Sequence, residues 1–433
     1  MLNIFYLECR KNSRTAVFGL MLSCAAPMPI LAQPQDVWTL QDSIRRVMEI
    51  APETRAAEAE VHARQGALQQ AGAWPNPQIE LNAGDKIGKD EGTGGIDFNQ
   101  FVFSQPLPLS GRLGHQRAIA RAELEAARAE RRYQYLRLKT QVAQRYHTLQ
   151  LAAERLRLAE QRLQLADELQ NIGRRREQAG ELSLLERLRF DLLRESAQQI
   201  LDKTEGEYNE ALSRFRAYLG LTSETTPQLT PLEPFGPVPA LQQLREELPE
   251  HPVLLAARSR LDAARSRVDL VRAERIPDPT LRLFREQDFL NGRRQDVTGI
   301  GIAISVPLWD RKAGRLSETR AQVVQTQSKL QMLERDLGSR LQQSYLHLNH
   351  LVQQGEHFLS RVFEPAQQVF DLTRKAYASG EVEILSLIDA NNTYFDTRER
   401  YLELLQEAWL EAADLHLAAG RALVTTEQDT HHE

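Results

Sequence analysis

Trp74-Pro75-Asn76-Pro77-Gln78-Ile79-Glu80-Leu81 returns about 200 residues later as Ile276-Pro277-Asp278-Pro279-Thr280-Leu281-Arg282-Leu283. A similar displacement carries Gln105-Pro106-Leu107-Pro108 to Val306-Pro307-Leu308-Trp309, and Arg174-Arg175 with Gly180-Glu181 to Arg374-Lys375 with Gly380-Glu381. So long a period exceeds the roughly 20 to 50 residues of a solenoid repeat and marks a duplicated, domain-sized unit. Each copy reads as helix, β-hairpin, helix, helix.

The first unit covers residues 33–221. It opens with a helix from about Leu40 to Ala73, with Pro52 early in it, and leaves through Gly72 and the Pro75/Pro77 pair. Ile79, Leu81 and Ala83 then alternate with polar neighbours, a Gly-rich turn from Gly84 to Gly95 reverses the chain, and a second strand runs through Phe101-Val102-Phe103. Its alternation slips near Asn99 and Gln100, as a β-bulge would make it. From Arg112 to Ile172 only Gly114 interrupts helix-forming residues, a rod roughly 90 Å long. Leu149, Leu156 and Leu163 form one stripe on it, and Leu151, Leu158, Leu165 and Ile172 a second on the far side. A helix with two seams is a stave that grips a neighbour on each side. A turn at Glu177 to Gly180 leads into a helix from about Leu182 to Leu219, ended by Gly220.

Five prolines make residues 222–240 an extended linker without room for regular structure. The second unit, 241–420, repeats the plan: helix from about Leu241 to Glu274, strands near Thr280 to Arg285 and Val297 to Val306, and helices of about Ala313 to Ala376 and Ile384 to Ala419. Ile300, Ile302, Ile304 and Val306 face one way, and Gly299, Gly301, Ala303 and Ser305 the other, as in a strand with one lipid or core face. Residues 421–433 form a polar tail.

Arg10, Lys11 and Arg14 precede an apolar run from Ala16 to Ala26, and Ile30-Leu31-Ala32 follows. This is the order of a secretory signal, residues 1–32, and cleavage after Ala32 is preferred here to lipidation of Cys24. Cys9 and Cys24 are the only cysteines, so the exported chain would hold neither disulfide nor thiolate metal site. A net charge of -5 removes the case for nucleic-acid binding.

Four short strands cannot close a barrel, and two-seamed helices have no core of their own. Several chains must therefore pool their strands and staves; two chains give eight strands and three give twelve, both even numbers allowed for an outer-membrane barrel.

These residues carry a resemblance. The signal, the duplicated unit, the Pro-Asn-Pro approach to the strands and the glycines at both helical turns resemble the TolC family of outer-membrane efflux proteins, over about Trp38 to Leu423. The stretches from Gln105 to Arg112 and from Ser305 to Arg315 are further similar to its heavy-metal branch, the cobalt-zinc-cadmium and copper-silver exporters. The resemblance implies a mainly α fold with a small β part: a long α-helical barrel continuous with an outer-membrane β-barrel, four strands per chain. It implies a homotrimer set in outer-membrane lipid that works with a periplasmic adaptor (membrane fusion) protein and an inner-membrane RND-type pump. It would be a passive conduit for heavy-metal cations. A channel for drugs or secreted polypeptides is the alternative within the fold, and a pore-less coiled-coil envelope protein the alternative outside it.

By the same resemblance the two glycine turns are periplasmic tips that meet the adaptor: Arg174, Gly180, Glu181 and Leu185 in the first unit, Arg374, Gly380, Glu381 and Leu385 in the second. Helix capping explains the glycines alone and not the repetition around them. Just inside the second tip, Ile384 to Ala390 resembles the stretch that lines the family's constriction. Asp389 matches one aspartate of its ring, and Ser386 stands where a second is often found. Glu186 and Arg189 occupy the equivalent places in the first unit. Three copies of Asp389 about an axis would sum to a cation-attracting ring; the competing reading is a surface carboxylate paired with an arginine such as Arg189. His347 and His350 share a helix face with no acid or cysteine beside them in the sequence, so a solvated or interfacial pair is expected. His431 and His432 lie in the polar tail, where the readings are a weak metal contact or, by default, no role. No cofactor, no metal site in the wall and no catalytic spacing is implied.

Overall fold

Thr39 and Asp42 start the first helix reciprocally. The Asp42 N–H donates to Thr39 Oγ1 at 3.1 Å and the Thr39 N–H to the Asp42 carboxylate at 3.3 Å, a capping box. In the computed structural model, residues 37–85, 96–290 and 293–423 are described, with side chains apart from those of 83–99 and 288–294. The signal sequence with Cys9 and Cys24, most of the Gly-rich turn, and the tail beyond residue 423 with His431 and His432 lie outside the described residues.

Helix α1 spans Leu40–Ile50 and α2 spans Pro52–Ala71. They replace the single helix expected from Leu40 to Ala73. Proline pushes the residue before it out of the helical region, and Ala51 is extended at φ -60°, ψ 129°. The second unit breaks at the same place: α5, Leu241–Glu247, and a short 3-10 turn give way at His251 (φ -58°, ψ 128°) to α6, Pro252–Ala273.

Two-residue strands β1, Val37–Trp38, and β4, Gln228–Leu229, pair in parallel. The linker is therefore not devoid of regular structure. The Tyr146 hydroxyl donates to Trp38 O at 2.9 Å and accepts from the Thr230 N–H at 3.2 Å. The Gln150 amide donates to Thr230 O at 2.7 Å, and the Trp409 indole to Glu233 O at 3.0 Å. These bonds satisfy linker groups that pairing leaves over, and they strap the linker to the long helices.

The main sheet joins β2, Gln78–Asp85, β3, Ile96–Pro106, β5, Thr280–Leu290, and β6, Arg293–Ala303, in that order, all antiparallel. Pairing passes from Asn82↔Gln100 to Ala83↔Phe98, so Asn99 is the extra residue of a bulge where the alternation slipped. Register puts Ile79 opposite Phe103, Phe103 opposite Leu283, and Leu283 opposite Ile300 on one face. That face is bare: Ile79 is 63%, Ile300 75% and Ile302 70% exposed. The opposite face is polar, with Asn82 donating to Gln100 at 2.7 Å and Gln100 to Glu286 at 3.3 Å. Phe284 on that face lies over Gly299, where a Cβ would stand 2.4 Å from its ring. β6 stops at Ala303, before the expected Val306. Each outer strand, β2 and β6, keeps an open edge in the single chain.

Helix α3, Arg112–Gln178, has 67 residues and is about 100 Å long. Its counterpart runs as α7, Ala313–Phe358, a π-turn, Leu359–Phe363, and α8, Glu364–Ser379, not as the unbroken helix expected. Pro365 offers no N–H, and its ring crowds the carbonyl one turn back, which the wider turn relieves. The return helices are α4, Leu184–Leu219, and α9, Ile384–Ala418. The two stripes on α3 separate only in part: Leu163 and Leu165 both border the tip cluster, and the cluster of Leu149 also takes in Leu404 and Ala412 of α9. Leu151 and Leu158 are buried with Phe395 and Leu402 of α9, and Leu149 with Phe215 and Leu219 of α4.

Candidate functional site

The two helical tips close by the same bonds. Glu181 N–H donates to Arg176 O and Glu381 N–H to Ala376 O, each at 2.9 Å, while Gly180 and Gly380 sit at φ 75° and 81°. This Schellman closure needs a left-handed residue that glycine adopts without strain. The descents into α4 and α9 then differ. Glu186 accepts from the Ser183 N–H at 2.9 Å and its hydroxyl at 2.7 Å, completing a capping box. Those bonds, with a smaller contribution from the Arg189 charge, hold the Glu186 carboxyl below the usual carboxylate range. At the equivalent place Ser386 is exposed, and α9 starts without a side-chain cap.

Behind the turns the hairpins share one apolar cluster, with Ala166 and Leu169 of α3, Phe190 and Leu193 of α4, Tyr377 of α8, and Ile384 and Leu387 of α9. Phe190 meets Tyr377 edge-on at 6.5 Å, and the Arg176 guanidinium lies 5.0 Å from the centre of the Tyr377 ring. None of Gly173, Phe190, Tyr377 and Arg176 stood out as functional in the sequence; the nearest signal was a glycine inside a long helix.

Arg174, Glu181, Leu185, Arg374, Glu381 and Leu385 all face outward, with Leu185 62% and Leu385 54% exposed. Asp389 is exposed and Arg189 half-buried. Among the described residues neither has an ion-pair partner, so Asp389 and Arg189 are not paired within one chain. The tips thus present unengaged charge and apolar surface around a shared core.

His347 does have an acid beside it, from another helix: its Nδ1 is 2.9 Å from Glu411 Oε2 on α9. His350 is exposed. Among the described residues no group of three or more His, Cys, Asp or Glu is placed to hold a metal ion. No described helix is long and apolar enough to cross a membrane.

The family model described as outer membrane efflux protein matches residues 44–221 and 243–421, one match on each half of the duplication. The chain belongs to that family. Cobalt-zinc-cadmium resistance protein CzcC of Cupriavidus metallidurans is 25% identical over 377 residues, 84% of this chain and 86% of that one. Probable outer membrane lipoprotein SilC of Salmonella typhimurium is 25% identical over 355 residues, 78% of this chain and 74% of its own. Among solved structures, that of CusC, described for channel formation, superposes with a TM-score of 0.72 at 19% identity over 88% of this chain and 92% of that one. This outer membrane efflux protein therefore has the TolC-type fold of helical barrel and β domain, and its place is the outer membrane. Family and fold are those of a passive channel and not of an enzyme.

Proposed function

We propose that three copies of this efflux protein close into one channel that exports heavy-metal cations. In this reading a periplasmic adaptor docks on the tips and an inner-membrane RND-type pump supplies the energy. The similarity to CzcC over most of both chains carries the metal reading. Closure by three is supported by the open edges of β2 and β6 and by the bare apolar sheet face, because four strands per chain make a twelve-stranded barrel with its apolar face to lipid. The exposed charges of both tips, repeated at Arg174/Arg374 and Glu181/Glu381, suit a partner that reads the two hairpins alike.

Two measurements test this. Purified protein in planar bilayers is expected to open a pore, and a trimer that conducts nothing overturns the closed-channel reading. A host lacking the gene is expected to become sensitive to cobalt, zinc, cadmium, copper or silver salts and to regain resistance when it is restored. Sensitivity to drugs alone, or loss of a secreted polypeptide alone, would assign the cargo to the other branches of the fold.

A further inference from the structure

Helices α2, α3, α6 and α7 pack one on the next in that order, and their arc curves around a cavity of about 620 Å³. Each helix gives the cavity an apolar wall: Ala57 from α2, Ala127 from α3, Ala256 from α6 and Leu333 from α7. Small side chains leave the space open, and its volume is in the range of sites that hold small organic molecules.

The charges around the cavity sort into matched and unmatched ones. Glu60 accepts from Arg64 at 2.8 Å, and Glu130 accepts from Arg260 across α3 and α6. Two lining residues are left over. Among the described residues, neither Glu53 of α2 nor Arg131 of α3 makes a hydrogen bond or an ion pair. Arg131 is half-buried, its guanidinium lies 5.9 Å from the centre of the Tyr135 ring, and its Nε–H is shut off from solvent with no acceptor. A buried donor without a partner costs free energy, and an anion on the terminal guanidinium nitrogens would offset it. Glu53 is exposed at the rim, a carboxylate left over for a cation. The cavity therefore offers one free positive group, one free negative group and an apolar wall between helices.

We propose that this cavity binds a small zwitterion with an apolar body: its carboxylate on Arg131, its ammonium on Glu53, and its body against the alanines and Leu333. A purely cationic ligand would leave Arg131 unmatched, and a purely anionic one would leave Glu53 so. A metal cation has no reason to stop here, because the free arginine repels it. The site is built within one chain and does not depend on closure of a ring.

The test uses full-length protein in lipid nanodiscs and four dyes that share a dansyl body. Nε-dansyl-lysine carries both charges, dansylcadaverine only the ammonium, 6-(dansylamino)hexanoate only the carboxylate, and dansylamide neither. Nε-dansyl-lysine is expected to give saturable, blue-shifted emission that empty nanodiscs do not, and to bind about tenfold or more tightly than the other three. Arg131→Gln is expected to erase its advantage over dansylcadaverine, and Glu53→Gln its advantage over the hexanoate. Ala56→Trp, at an exposed lining position of α2, is expected to block the cavity and weaken all specific binding. Melting temperatures report whether each variant is folded; Glu53 lies at the surface, so Glu53→Gln decides the matter even if Arg131→Gln destabilises the chain. Equal affinity for all four dyes overturns the site, as does an advantage that survives both charge substitutions or binding that Ala56→Trp leaves unchanged. Binding is read whether or not the protein conducts, so failure of the site and failure of the channel reading are told apart.

Discussion

A Cβ atom on Gly173 of α3 would stand 2.4 Å from Cδ2 of Phe190 on α4, so the tip core closes only because residue 173 has no side chain. Phe190 is fully buried, so turning its ring aside would disturb the packing around it. Gly173→Ala sets two effects against each other. Helix propensity favours alanine by about 1 kcal/mol, while forcing a methyl into a filled core costs about 1–3 kcal/mol. The clash wins, and the variant is expected to melt earlier in detergent. With Phe190→Ala in the background the sign should reverse, and a Gly173→Ala that still destabilises there would show that the ring is not the obstacle.

At the start of the two long rods, Gly111 (φ 78°) faces a counterpart that is not glycine: Lys312, at φ 57°. Asp310 compensates, accepting from the Lys312 N–H at 3.0 Å and from Nζ at 2.7 Å. Left-handed geometry costs a non-glycine residue about 1–2 kcal/mol. Lys312→Gly is therefore expected to be neutral or stabilising by up to about 1 kcal/mol, and Gly111→Val destabilising by about 1–2 kcal/mol, read from thermal unfolding.

His147 stacks on Trp409 at 4.2 Å, shares a 2.8 Å hydrogen bond with Gln150, and has its pKa lowered by burial to about 4. Because the folded value lies below the ordinary 6.5, this site's contribution is complete above pH 6.5 and is lost as the pH falls from 6.5 to about 4. The loss amounts to about 3 kcal/mol per chain. Burial also lowers His251 and His416, which act with the same sign. His147→Gln should flatten the fall in melting temperature between pH 6.5 and 4; an unchanged slope would remove His147 from the account.

Asp389 stands exposed without an ion-pair partner just inside the second tip. If three copies ring the constriction, Asp389→Ala is expected to weaken blockade of single-channel current by divalent and trivalent cations by about tenfold or more, corresponding to at least ~1.4 kcal/mol of lost binding. Arg189→Ala, at the matching place in the other hairpin, should leave blockade as strong or strengthen it. Equal blockade of the parent and the Asp389 variant would move the constriction elsewhere.

Much of the architecture was legible because it is written in short-range rules. A left-handed glycine fixes each tip, alternation fixes the face of Ile300 and Ile302, and the slip near Asn99 marks its bulge. Other features needed partners far apart in the chain. Nothing near residue 228 announces that it pairs with residue 37, and the acid beside His347 comes from Glu411 on another helix. Pro52 was noted inside the first expected helix and Pro365 was passed over inside the later one, because a proline's effect depends on its neighbours: one starts a new helix, and the other is absorbed by a wider turn. The tip charges were legible as residues, while the core behind them, Phe190 against Tyr377, required both hairpins to be folded together.

The π-turn at Leu359–Phe363 leaves the two arms equal in residue count and unequal in compliance. Beside it Phe363 stacks on Tyr401 at 6.0 Å and Tyr394 at 6.1 Å, and Phe370 stacks on Tyr394 at 5.0 Å. The first arm has no such joint: α3 is unbroken, and Asp167–Arg194 and Glu177–Arg187 ion pairs tie it to α4. If three copies close into a ring, a load applied at the tips would meet an unbroken helix in one arm of each chain and the π-turn in the other, so that the ring would deform with threefold rather than sixfold regularity.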